Sequence, residues 1–245
     1  MTDRALEAVT FDFWNTLIHE APGQMADLRK AAWIERLGGA GIAVAVHELD
    51  VAMEGSWRRY VDAWHANRQY LAAEAAHDLL ADLGLTDLED DLRDALVVDF
   101  TTVGERAELE LTPNVADCIR ALRSAGLRIG IVCDVGMTPS TILRTHLERH
   151  GVLDLFDHWS FSDDVGAYKP DARIFEHALA GLGGIEPSRA AHVGDIRRTD
   201  IAGARAMGMT AVRYRGISDD TDSGPEGQVV LDDHAELPAL LLGAD

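Results

Sequence analysis

The sequence predicts an α/β protein: a parallel sheet with helices on both faces, interrupted by an inserted helical module. Three observations lead there. Short β-prone apolar runs alternate with helical stretches along most of the chain. After the first such run, roughly 85 residues pass with helical periodicity and little strand signal. Polar residues then collect where the runs end, as expected where strands deliver side chains to a cleft.

The first run, Ala8-Val9-Thr10-Phe11-Asp12-Phe13, reads as a buried strand ending at polar residues. Amphipathic helices are expected near Met25 to Leu37, His47 to Ala66, Gln69 to Leu83 and Leu88 to Thr102. Thr112-Pro113 and Thr138-Pro139 each put a capping hydroxyl before a proline suited to the first helical position, and Gly126 and Gly151 mark the ends of those helices. Further strands are expected at Leu127 to Cys133, His158 to Phe161, Ala191 to Val193 and Thr210 to Tyr214. Gly216 to Gln228 is a loop rich in Ser, Asp and Gly; a short strand at Val229 to Leu231 and a helix around Leu237 to Leu242 follow it. The expected division is a core of residues 1–18 and 106–245 and a helical module of residues 19–105.

Composition narrows the function. The 245 residues include 22 Lys plus Arg and 42 Asp plus Glu, a formal charge of −20, which disfavours nucleic acid and anionic membrane surfaces as partners. With 47% hydrophobic and 26% charged residues the chain reads as an ordered globular protein. Cys118 and Cys133 suit neither a metal-binding pair nor a disulfide framework. The start, Met1-Thr2-Asp3-Arg4, carries no signal-peptide pattern, so a reduced, cytoplasmic setting is expected, for a monomer or a homodimer.

The candidate chemistry lies at the strand ends. Asp12 ends the first strand, Cys133-Asp134 the second, and Gly194-Asp195 a later one, with Asp200 five residues on. Three carboxylates meeting in a low-dielectric cleft would repel one another unless a cation sat among them. Magnesium is the natural candidate, because it takes oxygen ligands and bridges carboxylates to a substrate phosphate. Lys169 adds positive charge; only Lys169 and Lys30 of the 22 basic residues are lysine, so a generic surface cation here would more readily have been arginine.

Asp12-Phe13-Trp14-Asn15-Thr16-Leu17, the strand ending at Cys133, Lys169-Pro170, and Gly194-Asp195 with Asp200 resemble the four ordered motifs of the haloacid dehalogenase (HAD) superfamily. The resemblance spans nearly the whole chain. It implies a Rossmann-like core, with the inserted helices in the place of that superfamily's substrate-covering cap. It further implies Asp12 as a nucleophile that forms a covalent aspartyl intermediate later hydrolysed by water. Asp195 would hold Mg²⁺ with Asp12 and the backbone carbonyl of Trp14, supported by Asp200, while Lys169 would orient the nucleophile. Trp14, Thr16, Cys133 and Asp134 are the candidates for contact with a small anionic substrate.

Two departures from the pattern matter. Where phosphatases of this superfamily carry a second aspartate as general acid, this chain has Trp14, and a positioned acid is worth on the order of 10² to 10⁴ in rate. Where the superfamily usually has Ser or Thr, this chain has Cys133, a weaker donor. Dehalogenating members carry an aromatic residue at the Trp14 position, but dispense with magnesium and generally lack the last acidic pair. Retention of Asp195 and Asp200 favours a magnesium-dependent phosphohydrolase over displacement at carbon, or over a binding protein that has lost catalysis.

Each residue also has a plainer role to weigh: turn-capping for Asp12, helix N-capping for Asp195 and Asp200, core filling for Cys133. In the helical module Trp57 and Trp64 stand seven apart, with Arg58, Arg59, His65 and Arg68 between and beside them, which reads first as a module core with a solvated rim. His19 follows the first motif and reads as a loop residue.

Overall fold

In chain order the elements are β1 (Ala8–Phe11), β2 (Ile18–Glu20), α1 (Gln24–Gly39), α2 (Val46–His65), α3 (Ala72–Asp82), α4 (Asp90–Thr102), β3 (Leu109–Leu111), α5 (Val115–Ser124), β4 (Arg128–Cys133) and α6 (Ser140–Arg149). There follow β5 (His158–Phe161), α7 (Ser162–Val165), α8 (Ala172–Gly181), β6 (Ala190–Gly194), α9 (Ala202–Met207), β7 (Thr210–Tyr214), β8 (Val229–Leu231) and α10 (Leu237–Leu242). The computed structural model describes residues 5–243; Met1-Thr2-Asp3-Arg4, from which the absence of a signal peptide was expected, lies outside the described residues.

Six strands form one parallel sheet in the order β5-β4-β1-β6-β7-β8. β1 is buried along its whole length and β4 along all but its first residue, the signature of strands covered on both faces. From β1 the chain builds outward through β4 to β5, then returns to the other side of β1 for β6, β7 and β8. The order therefore reverses at β1, and a crevice at such a reversal, beyond the carboxyl ends of the strands, is where ligands bind in open α/β sheets. Asp12 follows β1, and Asp195 follows β6, the strand beside it. Val132, Ala190 and Ala211 pack with Ile174, Phe175 and Ala178 of α8 and Ala204 of α9 in an apolar core against the sheet.

The chain divides into two compact units. One comprises Met1–His19, Glu110–Asp134 and Leu147–Asp245; the other comprises Glu20–Leu109 and Val135–His146. The crossings at 19/20 and 109/110 fall in β2 and β3, which pair in a separate two-stranded sheet. The second unit is helical and has its own core. Trp33 is fully buried, donates its indole N–H to the Leu96 carbonyl at 3.0 Å and meets Phe100 edge-on. Arg29, also buried, donates to the carbonyls of Phe100 and Met137 and to the Thr138 hydroxyl, and so ties Val135–His146 into this unit. His146 does the same from the far end of that segment through the Gly104 carbonyl, 2.9 Å from its Nε2.

Both expected helix caps are corrected by these partners. α5 starts at Val115 behind Asn114, whose φ is 60°, while the Thr112 hydroxyl donates to the Thr16 carbonyl at 2.7 Å. α6 starts at Ser140, and the Thr138 hydroxyl accepts from Arg29. In each case a long-range hydrogen bond outcompetes the local one. The helix stops at Gly126 and Gly151 stand as expected, both with positive φ. Among the described residues no helix is long and apolar enough to cross a membrane.

Candidate active site

The turn after β1 places the first motif. The Asp12 N–H donates to the Val193 carbonyl at 2.8 Å, which pins the end of β1 to β6. Leu17 and Ile18 both donate back to the Phe13 carbonyl, closing a tight turn that Asn15 enters with φ 56°, a left-handed conformation that asparagine tolerates. The Thr16 carbonyl is held twice, by the Thr112 hydroxyl at 2.7 Å and by His234 Nε2 at 2.8 Å.

Asp12, Asp195 and Asp200 converge. They are 6%, 3% and 1% exposed, and one ligand oxygen from each lies within 4.8 Å of the others. Lys169 enters the cluster from the loop before α8, 1% exposed, with Nζ hydrogen-bonded to Asp12 Oδ1 and 2.7 Å from Asp200 Oδ1. Its backbone N–H donates to Asp134 Oδ1 at 2.8 Å, so this carboxylate anchors the lysine main chain.

The electrostatics are unbalanced in a direction that matters. Burial, only partly offset by Lys169 and reinforced by the negative charge of Asp200, pushes Asp12 up to about 7. Asp195 is pushed well above the usual carboxylate range by burial and by the charges of Asp12 and Asp200. Burial acts the same way on Asp200, but Lys169 and His192 outweigh it and hold that carboxyl below its ordinary value. Lys169 is raised despite burial, because Asp12 and Asp200 flank it. One ammonium among three buried carboxylates leaves excess negative charge, and the donor set is entirely hard oxygen. These residues fit a divalent cation such as Mg²⁺.

The remaining sequence candidates separate. Cys133 ends β4, fully buried; burial holds its thiol well above its ordinary value, so it is a neutral, inert group. Trp14 is half-buried with its ring edge-on to Phe13 at 5.1 Å. Thr16 is fully buried, and its hydroxyl has no hydrogen-bond partner among the described residues. In the second unit, Trp57 is 54% exposed and stacks obliquely on Tyr60, and Arg59 pairs with Asp78 and Asp82. His19 is half-buried.

Two contributors have roles that the sequence does not assign, Asn15 within the first motif and His192 outside all four. Asn15 Nδ2 lies 3.5 Å from Asp195 Oδ2. His192, in the middle of β6, bridges Thr10 and Asp200. The available signal was a lone imidazole in an otherwise apolar central strand.

Comparison with known proteins agrees with this geometry. The chain is 27% identical to (S)-2-haloacid dehalogenase 1 of a Pseudomonas species over 97% of both proteins. It is 33% identical to glyceraldehyde 3-phosphate phosphatase of Methanothermobacter thermautotrophicus, over 53% of this chain and only 58% of that protein. The crystal structure of 2-haloacid dehalogenase from Pseudomonas syringae pv. tomato superposes with a TM-score of 0.73 at 23% identity, covering 96% of this chain and 98% of the other. Residues 6–208 match the haloacid dehalogenase-like hydrolases, and with the four motifs at one end of the parallel sheet the chain belongs to that family of hydrolases.

Proposed function

We propose that this hydrolase is a Mg²⁺-dependent phosphohydrolase acting on a small phosphorylated metabolite, with Asp12 as nucleophile. The observation that carries the reading is the buried convergence of Asp12, Asp195 and Asp200, whose excess negative charge calls for a divalent ion. Asp12 and Asp195, with the backbone carbonyl of Trp14, would hold the ion, and Asp200 would support them. When bound, Mg²⁺ keeps Asp12 ionised and draws charge from the phosphoryl oxygens.

An Asp12 carboxylate oxygen attacks phosphorus, the P–O bond to the leaving group breaks, and its electron pair leaves with the substrate oxygen. Water then attacks the phosphorus of the aspartyl phosphate, the bond to Asp12 breaks, and inorganic phosphate departs with the carboxylate restored. Lys169, hydrogen-bonded to Asp12 and Asp200, holds the attacking carboxylate in place and offsets charge at the transferring group. The buried, unpartnered hydroxyl of Thr16 is available to donate to a phosphoryl oxygen, and the neutral Cys133 thiol offers a weaker contact. Asp134 is engaged with the Lys169 backbone, which makes it a support for the lysine first and a substrate contact second.

Indole cannot protonate a leaving group, so Trp14 directs the choice of substrate toward acyl or aryl phosphates, whose leaving groups depart without a positioned acid. The helical unit would act as the cap, limiting access to small anionic substrates in the cytoplasm. A second reading draws on the full-length similarity to (S)-2-haloacid dehalogenase 1 and the aromatic Trp14: the same carboxylate would displace halide from carbon. The deciding experiment is phosphate release from a panel including acyl and aryl phosphates, with and without Mg²⁺, beside halide release from 2-haloacids. Mg²⁺-dependent phosphate release that vanishes in Asp12→Asn supports the first reading; EDTA-insensitive halide release overturns it.

A further inference from the structure

His192 is fully buried in β6, among Ala190, Ala191, Val193 and Gly194, none of which carries a polar side chain. An imidazole in such a strand is costly unless its nitrogens find partners. Both do. Nδ1 lies 2.9 Å from the Thr10 hydroxyl on the adjoining strand, and Nε2 lies 3.0 Å from Asp200 Oδ1. A carboxylate that holds an ammonium is an acceptor only, so the proton between Nε2 and Asp200 belongs to the imidazole. Phe175 meets the ring edge-on at 5.2 Å and 89°, which fixes its plane.

The consequence falls on Asp200. Its Oδ1 accepts from His192 and from Lys169 Nζ; its Oδ2 accepts from the Ile196 N–H at 3.0 Å and the Thr199 hydroxyl at 3.4 Å. A carboxylate offers about four lone-pair sites, and here four donors address them. Asp200 is thereby locked in one rotation, with Oδ1 aimed at the ammonium that meets Asp12. Without the His192 donor, Oδ1 is left to the Lys169 ammonium alone, at the end of a flexible side chain, and the two can shift together.

We propose that His192, held by Thr10, is a positioning residue: by fixing the rotation of Asp200 it sets Lys169 against Asp12. The proposal rests on the reading of Asp12 as nucleophile. Two substitutions separate positioning from core filling. His192→Gln keeps an N–H near the place of Nε2, whereas His192→Leu keeps bulk and removes the donor.

The test measures kcat and KM in whichever assay turns over, phosphate or halide release, with melting temperatures and crystal structures of both variants. His192→Leu should lose about 10- to 100-fold in kcat with KM within about twofold, the scale of losing a hydrogen bond that orients a reacting group. His192→Gln should recover most of that loss at a similar melting temperature. In the His192→Leu crystal structure, Asp200 should be rotated and Lys169 Nζ withdrawn from Asp12. A His192→Leu enzyme with unchanged kcat overturns the proposal, as does one whose Lys169 has not moved, or a Gln variant as impaired as Leu. Asp12→Asn, run in parallel, isolates the underlying reading: retained turnover there defeats the nucleophile assignment, while the Lys169 position still decides the role of His192.

Discussion

Gly194 sits where β6 ends, and a methyl group there has nowhere to go. A Cβ on Gly194 would lie 2.3 Å from Asp200 Cγ, 2.5 Å from its Cβ and 2.7 Å from its Oδ1. Ordinary contact begins near 3.4 Å, so Gly194→Ala must drive the Asp200 carboxylate away by at least about 1.1 Å, the difference between 3.4 and 2.3 Å. That displacement breaks the bonds from Lys169 and His192 to Oδ1, which are short only while Asp200 keeps its place. Misplacing a catalytic group by about 1 Å lowers rate by about 10²-fold. Overpacking a core adds roughly 1–3 kcal/mol of destabilisation, or about 2–4 °C of melting temperature per kcal/mol in a chain of this size. The control is Gly39→Ala at the end of α1, where nothing lies within 4 Å of the new methyl and activity should not change. The assay is steady-state turnover together with thermal melting of both variants. A Gly194→Ala enzyme turning over within twofold of wild type would refute the claim that the Asp200 position governs catalysis.

Lys169→Met should remove the one ammonium that balances the carboxylates, destabilise the fold by about 3–5 kcal/mol in chemical denaturation, and respond to added Mg²⁺ with a larger gain in stability than wild type. Asp195→Asn relieves a carboxylate whose ionisation is opposed by its surroundings, so its melting temperature without Mg²⁺ should exceed that of wild type while turnover is lost. Burial holds His234 at about 4 against an ordinary 6.5, so its neutral form stabilises the fold fully above pH 6.5 and that contribution is lost as pH falls toward 4. The shift corresponds to about 3 kcal/mol; urea unfolding between pH 4 and 7 should be flatter in His234→Gln, and an unchanged slope would contradict the assignment.

The sheet was legible in the sequence because its strands are short apolar runs with polar ends, and three of the four motifs sit at such an end, the Lys169 motif lying instead in the loop before α8. β2 and β3 were not legible: three residues apiece, they carry too little pattern to register. The hydroxyls of Thr112 and Thr138 have the local form of helix caps, yet their partners, Thr16 and Arg29, lie about a hundred residues away in sequence. A still longer separation, 182 residues to Thr10, hides His192. Its spacing from Asp200 suggests nothing alone, and only the pairing of β1 with β6 brings Thr10 to its other nitrogen. Asp134 likewise has a legible position beside Cys133, but its partner, the Lys169 backbone, is set by tertiary folding.

Titration calorimetry of the intact chain with MgCl₂, repeated on Asp195→Asn, bears most directly on the idea that converging carboxylates demand an ion. The expected result is uptake of a single Mg²⁺ per chain by the wild type and none by the variant. Absence of heat in the wild type, or equal uptake by both proteins, would contradict it.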